Sequence, residues 1–245
     1  MNTVRDIDLV ELSKYLNAFR AYFAENGYFE QTLYSAVKYA VTNTDVFKLK
    51  QDLFLRCFPE PEIWVAAKQS DKFFWIGSLF RDEKELTNIH TYEFKIVDFY
   101  IKGGTMKGIL DVFLQSLAAL EKMLSLPELS KREVKYVTYK NFEHGNFERS
   151  RSCWLVVTDY PPQESFYDAP SKASSMTSKF EVMSIDSGKV TEIAAAGVIG
   201  ENLNSIRQIK TTEDFEFSKE IYDENFIGLG FGVERLMYLY KNPKA

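Results

Sequence analysis

Phe80-Arg81-Asp82-Glu83-Lys84-Glu85-Leu86-Thr87-Asn88-Ile89-His90-Thr91-Tyr92-Glu93-Phe94 is a charged segment held between two apolar runs. Residues 71–80 (DKFFWIGSLF) read as a buried strand and residues 93–101 (EFKIVDFYI) as a second, so the segment is a strand–loop–strand unit with a long polar connection. Loops of that size commonly carry function. Arg81 and Glu83 are two apart and share a face in extended chain. An arginine can hold a phosphate bidentately, and a glutamate can accept from an amino group. His90 can reach a terminal phosphate, and Phe94 can stack on a flat base. Phe94, Ile96, Asp98 and Tyr100 fall on one face of the returning strand. The plainer alternatives are a surface ion pair for Arg81 and Glu83 and a core position for Phe94.

Outward from this hairpin the pattern is mixed. Leu9, Leu12, Leu16, Phe19 and Phe23 form a helical stripe that Asp6 or Asp8 can cap and Asn26-Gly27 can close. YFEQTLYSAVKYAV is a strand leading into looser chain. Ile109, Phe113, Leu117, Leu120 and Leu124 form a second stripe after Gly103-Gly104, ending near Pro127. Residues 127–152 are charged and weakly periodic, which leaves much of the middle region 103–152 without a clear pattern. CWLVVTD (153–159) is a buried strand, and YPPQESFYDAPSKASSMTSK is a loop. FEVMSI and VTEIAAAGVI read as strands paired across Asp186-Ser187-Gly188, and residues 201–224 as a polar helix with flanking loops. FIGLGFGVERLMYLY reads as a glycine-laced strand turning into a helix. Hairpins in place of strand–helix–strand alternation predict an α+β fold: a mostly antiparallel sheet flanked by helices.

The 245 residues carry a net charge of −5, with 27% charged and 45% hydrophobic side chains, as in an ordinary folded domain rather than a basic nucleic-acid coat or a disordered chain. Cys57 and Cys153 stand in unlike contexts, so a reducing compartment fits better than a disulfide framework. With His90 and His144 the only histidines, a zinc site has little to draw on. No apolar run approaches membrane-spanning length, and MNTVRDIDLVE lacks a signal-peptide core, so the expected location is cytoplasmic, away from membranes.

Gly228-x-Gly230-x-Gly232 clears alternate positions on one strand face, so a ligand can lie along the backbone, and Arg235 follows at the start of a helix. The spacing is not the dinucleotide fingerprint. A tight packing strand is the alternative reading.

Taken together, FRDE…HTYEF and GLGFGVERL resemble motifs 2 and 3 of the class II aminoacyl-tRNA synthetases, over roughly residues 9–240. LVVTDYP, Phe166-Tyr167 and KFEVM are similar to the aspartyl, asparaginyl and lysyl subgroup. The resemblance implies one catalytic domain over 1–245 that activates an amino acid with ATP and Mg²⁺ as an aminoacyl-adenylate and passes it to tRNA, a protein or a small amine. It implies that Arg81 binds the α-phosphate, Glu83 reads adenine, Phe94 stacks beneath it, and His90 and Arg235 hold the outer phosphates. The resemblance also implies that Gly230 and Gly232 line the nucleotide site and that Arg81 and Arg235 are the catalytic pair. Glu181 and Glu192 fall where the family holds magnesium, a cation that takes oxygen ligands. Glu62, after Pro61, falls where the subgroup meets the α-amino group. A homodimer is also implied, although GYFEQTLYS lacks the motif 1 proline.

Two features set this chain apart. It begins almost at the core and has ten residues after Arg235, so no anticodon-reading domain is expected. Where aspartyl and asparaginyl enzymes carry an arginine seven positions after the acidic residue, Ile199 stands here. The strand from Glu192 is small and apolar, closer to the pyrrolysyl and phenylalanyl enzymes, and Ala194, Ala196 and Val198 are its expected substrate contacts. This predicts an uncharged, apolar or bulky substrate side chain, with Glu201, Arg207 or the Pro162–Ser178 loop as other sources of polarity. Lys131, Arg132, Lys135, Lys140, Arg149 and Arg151 form a modest basic cluster that suits tRNA or a solvated face equally. The alternatives are a non-catalytic synthetase paralogue that binds or regulates, and an amidating ligase of the asparagine-synthetase kind. The motif residues are all present, which favours an enzyme.

Overall fold

The computed structural model describes residues 7–41, 46–59, 62, 69–87, 90–164, 176–199, 209–211 and 226–242. Helix α1 (Leu9–Glu25) starts on Asp8, whose carboxylate accepts from the Val10 and Glu11 amides, and closes at Asn26, followed by Gly27 at φ 77°. It buries Leu12, Tyr15, Ala18, Phe19, Tyr22 and Phe23, while Leu9 stays exposed. Short strands β1 (Phe29–Glu30), β2 (Ala36–Val37), β3 (Tyr39–Val41) and β4 (Phe54–Leu55) follow. The motif-bearing hairpin is β5 (Lys72–Phe80) and β6 (Glu93–Lys102). Helix α2 (Met106–Leu124) is capped by Thr105. The middle region unreadable from the sequence contains β7 (Val134–Thr138) and the short helix α3 (Tyr139–Glu143). Strands β8 (Cys153–Thr158), β9 (Phe180–Asp186) and β10 (Lys189–Ile199) come next, the last two joined at Ser187-Gly188, both at positive φ. Ile209–Thr211 is a strand, β11, where a helix was expected; the rest of 201–224 lies outside the described residues. Strand β12 (Phe226–Gly232) runs without a break into helix α4 (Val233–Lys241).

Among the described residues the main sheet has eight strands in the order β1-β5-β6-β12-β10-β9-β8-β7. The two edge pairings, β1–β5 and β7–β8, are parallel, and the inner pairings are antiparallel. The architecture is α+β, as expected. One face of the sheet packs Phe74, Phe99, Trp154, Val182, Leu229 and Phe231 against α1, α2 and α4 in a single core. The opposite face is partly covered. At one side Arg56, which follows β4, lies over the Trp75 ring and donates to the Tyr39 hydroxyl of β3; β2 pairs with β4 and β3 with β11 in two small sheets. At the far side, Leu155, Tyr160, Met183 and Ile185 make a second apolar cluster with Tyr139 and Phe142 of α3. Between them lies an open cleft. Among the described residues no helix is long and apolar enough to cross a membrane.

Candidate active site

The cleft draws on the two separate sequence motifs. Arg81, Glu83, His90 and Phe94 line it from the β5–β6 hairpin, Gly230, Gly232 and Arg235 from β12 and α4, and Glu192 from β10. Strand register fixes their order. Leu79 pairs with Phe94; Gly77, Ile96 and Gly232 form the next row; Trp75, Asp98, Gly230 and Ala195 the next; Phe73, Tyr100, Gly228 and Gly197 the last. The face shared by Phe94, Ile96, Asp98 and Tyr100 is therefore the cleft face, and all four line it.

At the Phe94 end the site is charged and open. The Arg81 guanidinium lies 5.4 Å from the centre of the half-buried Phe94 ring, and its Nε has no hydrogen-bond partner among the described residues. The Arg81 amide donates to the Tyr92 carbonyl at 3.0 Å, which fixes the base of the loop. Thr87 clamps His90: its Oγ1 lies 2.9 Å from His90 Nδ1 and accepts from the His90 amide at 3.1 Å. The hairpin is tied below by Ser78, which donates to Glu93 at 2.7 Å. That bond, reinforced by Lys95, holds the Glu93 carboxyl below the usual carboxylate range. Arg235 donates from Nη1 to the Glu192 carbonyl at 3.0 Å and lies 3.6 Å from the Glu192 carboxylate. Its neighbour Glu234 is buried and accepts the Lys95 amide on both oxygens, at 2.8 and 2.9 Å, which locks the start of α4 to β6.

The other end is lined mainly by glycines and apolar or aromatic side chains around Asp98, which is 4% exposed. The glycines of β12 do different work. A side chain at Gly232 would meet only the Arg235 stem, at 3.7 Å or more, so the backbone there is open to a ligand. At Gly230 a Cβ would sit 3.1 Å from Ile96 and 3.3 Å from Asp98. At Gly228 it would sit 2.4 Å from Tyr100, so this glycine makes room for a ring rather than for a ligand.

Ala194, Ala196 and Val198 pack in the helix-side core, although Ala196 also borders the cleft, and it is Ala195 and Gly197 that front it. A bulge between Glu192 and Ala194 shifts the alternation along β10, which strand period alone does not reveal. Glu62 is not among the described cleft-lining residues; its carboxylate pairs with the buried Arg56. The basic cluster is largely neutralised: Lys131 pairs with Glu128, Arg132 with Asp186, Lys135 with Glu133 and Glu148, and Arg151 with Glu148. Pro61, Phe166, Tyr167, Glu201 and Arg207 lie outside the described residues, as does the side chain of Ile199.

Glu181 and Glu192 sit on adjacent strands: Ala195 faces Glu181 and Met183 faces Glu192, so the two acids are diagonal neighbours. Glu181 is engaged by Lys179 at 2.8 Å and by the Tyr160 hydroxyl at 2.7 Å, and this burial and charge push the tyrosine's pKa up. Glu192 is the freer of the two, with 45% of its side chain exposed against 16% for Glu181. No cluster of three or more metal-binding side chains occurs among the described residues. Magnesium held mainly by nucleotide phosphates needs only one or two carboxylates, so this pair fits it on those terms.

The chain aligns with asparaginyl-tRNA synthetase of Pyrococcus horikoshii, solved with asparaginyl-adenylate, at TM-score 0.73 and 18% identity, over 95% of this chain and 64% of that one. The Entamoeba histolytica enzyme, also solved with asparaginyl-adenylate, aligns at TM-score 0.73 and 18% identity over 95% and 63%. The fold is that of the class II aminoacyl-tRNA synthetases. At this identity the likeness establishes the synthetase fold alone, and the chain spans less than two thirds of the length of these relatives. No protein-family model and no curated protein matches the chain.

Proposed function

We propose that the cleft activates an amino acid with ATP, forming an aminoacyl-adenylate and pyrophosphate. The observation that carries this reading is the meeting of Arg81, Glu83, His90, Phe94 and Arg235, from motifs well over a hundred residues apart, at one end of a cleft whose interior holds a buried carboxylate, Asp98. An adenine ring entering over Phe94 takes the face that Arg81 covers and releases the guanidinium to the α-phosphate. Glu83 accepts from the adenine amino group, and His90, held by Thr87, and Arg235, held by Glu192, meet the outer phosphates. Asp98, in the adjoining rows, takes the α-ammonium group of the amino acid in place of Glu62. The substrate carboxylate then lies beside Arg81, attacks the α-phosphorus in line, and pyrophosphate leaves. The chain need only orient the reactants and offset phosphate charge, because no covalent enzyme intermediate is required. Glu192 and Glu181 would hold Mg²⁺, which on binding neutralises phosphate charge.

The acceptor belongs to the proposal as an open class: tRNA, a protein or a small amine. A homodimer belongs to it too, supported by Leu9 and Val10, which are 70% and 67% exposed at the start of α1, and by Phe29, 48% exposed on the edge strand β1. Light scattering of the intact chain tests the dimer. Amino-acid-dependent ATP–pyrophosphate exchange tests the chemistry. Exchange with a subset of amino acids is expected; nucleotide binding with no exchange for any of them would favour the non-catalytic paralogue.

A further inference from the structure

We infer that Tyr100 sets the size of the amino acid, and that the substrate is an amino acid with a small, uncharged side chain. This rests on the adenylate-forming reading above and deepens it. Register gives the cleft a direction. Among the described lining residues, Arg81 and Arg235, with the His90 imidazole, gather around the Phe94 and Ile96–Gly232 rows. With the nucleotide there and the ammonium group on Asp98, the side chain points toward the row Tyr100–Gly228–Gly197.

That row is filled. The Tyr100 ring lies against the β12 backbone so closely that a Cβ on Gly228 would come within 2.4 Å of its Cε1. Phe73 backs it, with ring centres 5.0 Å apart and planes within 14°, and Phe226 backs Phe73 at 5.5 Å. Tyr100 is 1% exposed and Phe73 1%, so this wall is packed rather than hinged. The small residues Ala195 and Gly197 leave space above β10, while Tyr100 stops the cleft from running on into the aromatic stack. Among the described cleft-lining residues none at this end is a cation, and the nearby Arg56, over the Trp75 ring of the Asp98 row, is already paired with Glu62, so an uncompensated substrate carboxylate would be costly there.

The experiment is pyrophosphate exchange by the intact chain with alanine, serine, valine, leucine, phenylalanine and tryptophan, for the wild type and for Tyr100→Leu and Tyr100→Ala. The wild type is expected to favour the small members and to lose about tenfold or more in kcat/KM for each added methylene that no longer fits. Tyr100→Leu, which retains much of the packing, is expected to move the preference at least tenfold toward larger side chains, and Tyr100→Ala further if it folds. A wild-type preference for phenylalanine or tryptophan overturns the inference and leaves the adenylate reading standing. So does an unchanged preference order in folded Tyr100→Leu. Absence of exchange with every amino acid overturns both.

Discussion

The two ends of the cleft rest on the same strands, β5, β6, β12 and β10, and are built by opposite means. At the Phe94 end, half-exposed polar side chains project from a loop and a helix start, and each is steadied by one neighbour: Thr87 for His90, Glu192 for Arg235, the Phe94 ring for Arg81. At the Tyr100 end, rings packed on rings form the wall, and glycine makes room for them. The first arrangement suits a ligand whose charge must be met by groups free to close on it. The second suits shape selection, because a packed wall cannot move aside cheaply.

Substitutions can break this contrast at either end. Arg81→Ala or Arg235→Ala is expected to lower pyrophosphate exchange by about 10²–10³ or more, the usual loss for one preorganised partner of transition-state charge, with little change in melting temperature. Wild-type exchange in both would remove the nucleotide end from the account. Asp98→Asn is expected to raise KM for the amino acid by about tenfold or more while leaving KM for ATP near its starting value, since a hydrogen bond to a charged group contributes about 1.5–3 kcal/mol. Equal effects on both substrates would show that Asp98 does not divide the two ends.

Glu234→Ala probes the frame that joins them. It strips the Lys95 amide of its buried acceptor, so a loss of about 1–3 kcal/mol in denaturant unfolding is expected. Glu192→Gln is expected to raise several-fold the Mg²⁺ needed for half-maximal exchange, and Glu181→Gln less, because Lys179 and Tyr160 already engage that carboxylate. The smallest effect concerns pH. Glu93 has its pKa lowered in the folded hairpin, first by Ser78 and then by Lys95. Its contribution is therefore present at neutral pH and is lost as pH falls from the ordinary value of 4.5 through the lower folded one. Glu93→Gln should flatten that part of the melting-temperature profile.

The same contrast explains what was legible in the sequence. The Phe94 end is local: FRDE, HTYEF and GLGFGVERL each keep their cleft-lining side chains within one hairpin or one strand–helix junction, so spacing carries the information. Asp98 and Tyr100 were readable as sharing a face with Phe94, but their standing as the interior acid and the end wall depends on pairing with Gly230 and Gly228, more than a hundred residues on. Strand period places Ala194, Ala196 and Val198 on the face of Glu192, but a bulge resets the alternation of β10, so Ala194 and Val198 pack in the core, Ala196 borders both core and cleft, and Ala195 and Gly197 front the cleft. Strand β7 was illegible for a related reason: it is an edge strand of intermediate and exposed residues paired in parallel, so it lacks a buried run. The basic cluster is open to two readings in the sequence; the ion pairs of Arg132 with Asp186 and Lys135 with Glu148, which bridge distant positions, favour the solvated face.

The central claim is that one cleft reads nucleotide at the Phe94 end and amino acid at the Tyr100 end. A crystal structure of the intact chain with a non-hydrolysable alanyl-adenylate analogue tests it most directly. Adenine is expected against Phe94, the phosphate mimic beside Arg81, the ammonium group on Asp98 and the methyl group toward Tyr100. Adenine seated at Tyr100, or the analogue bound outside the cleft, would contradict it.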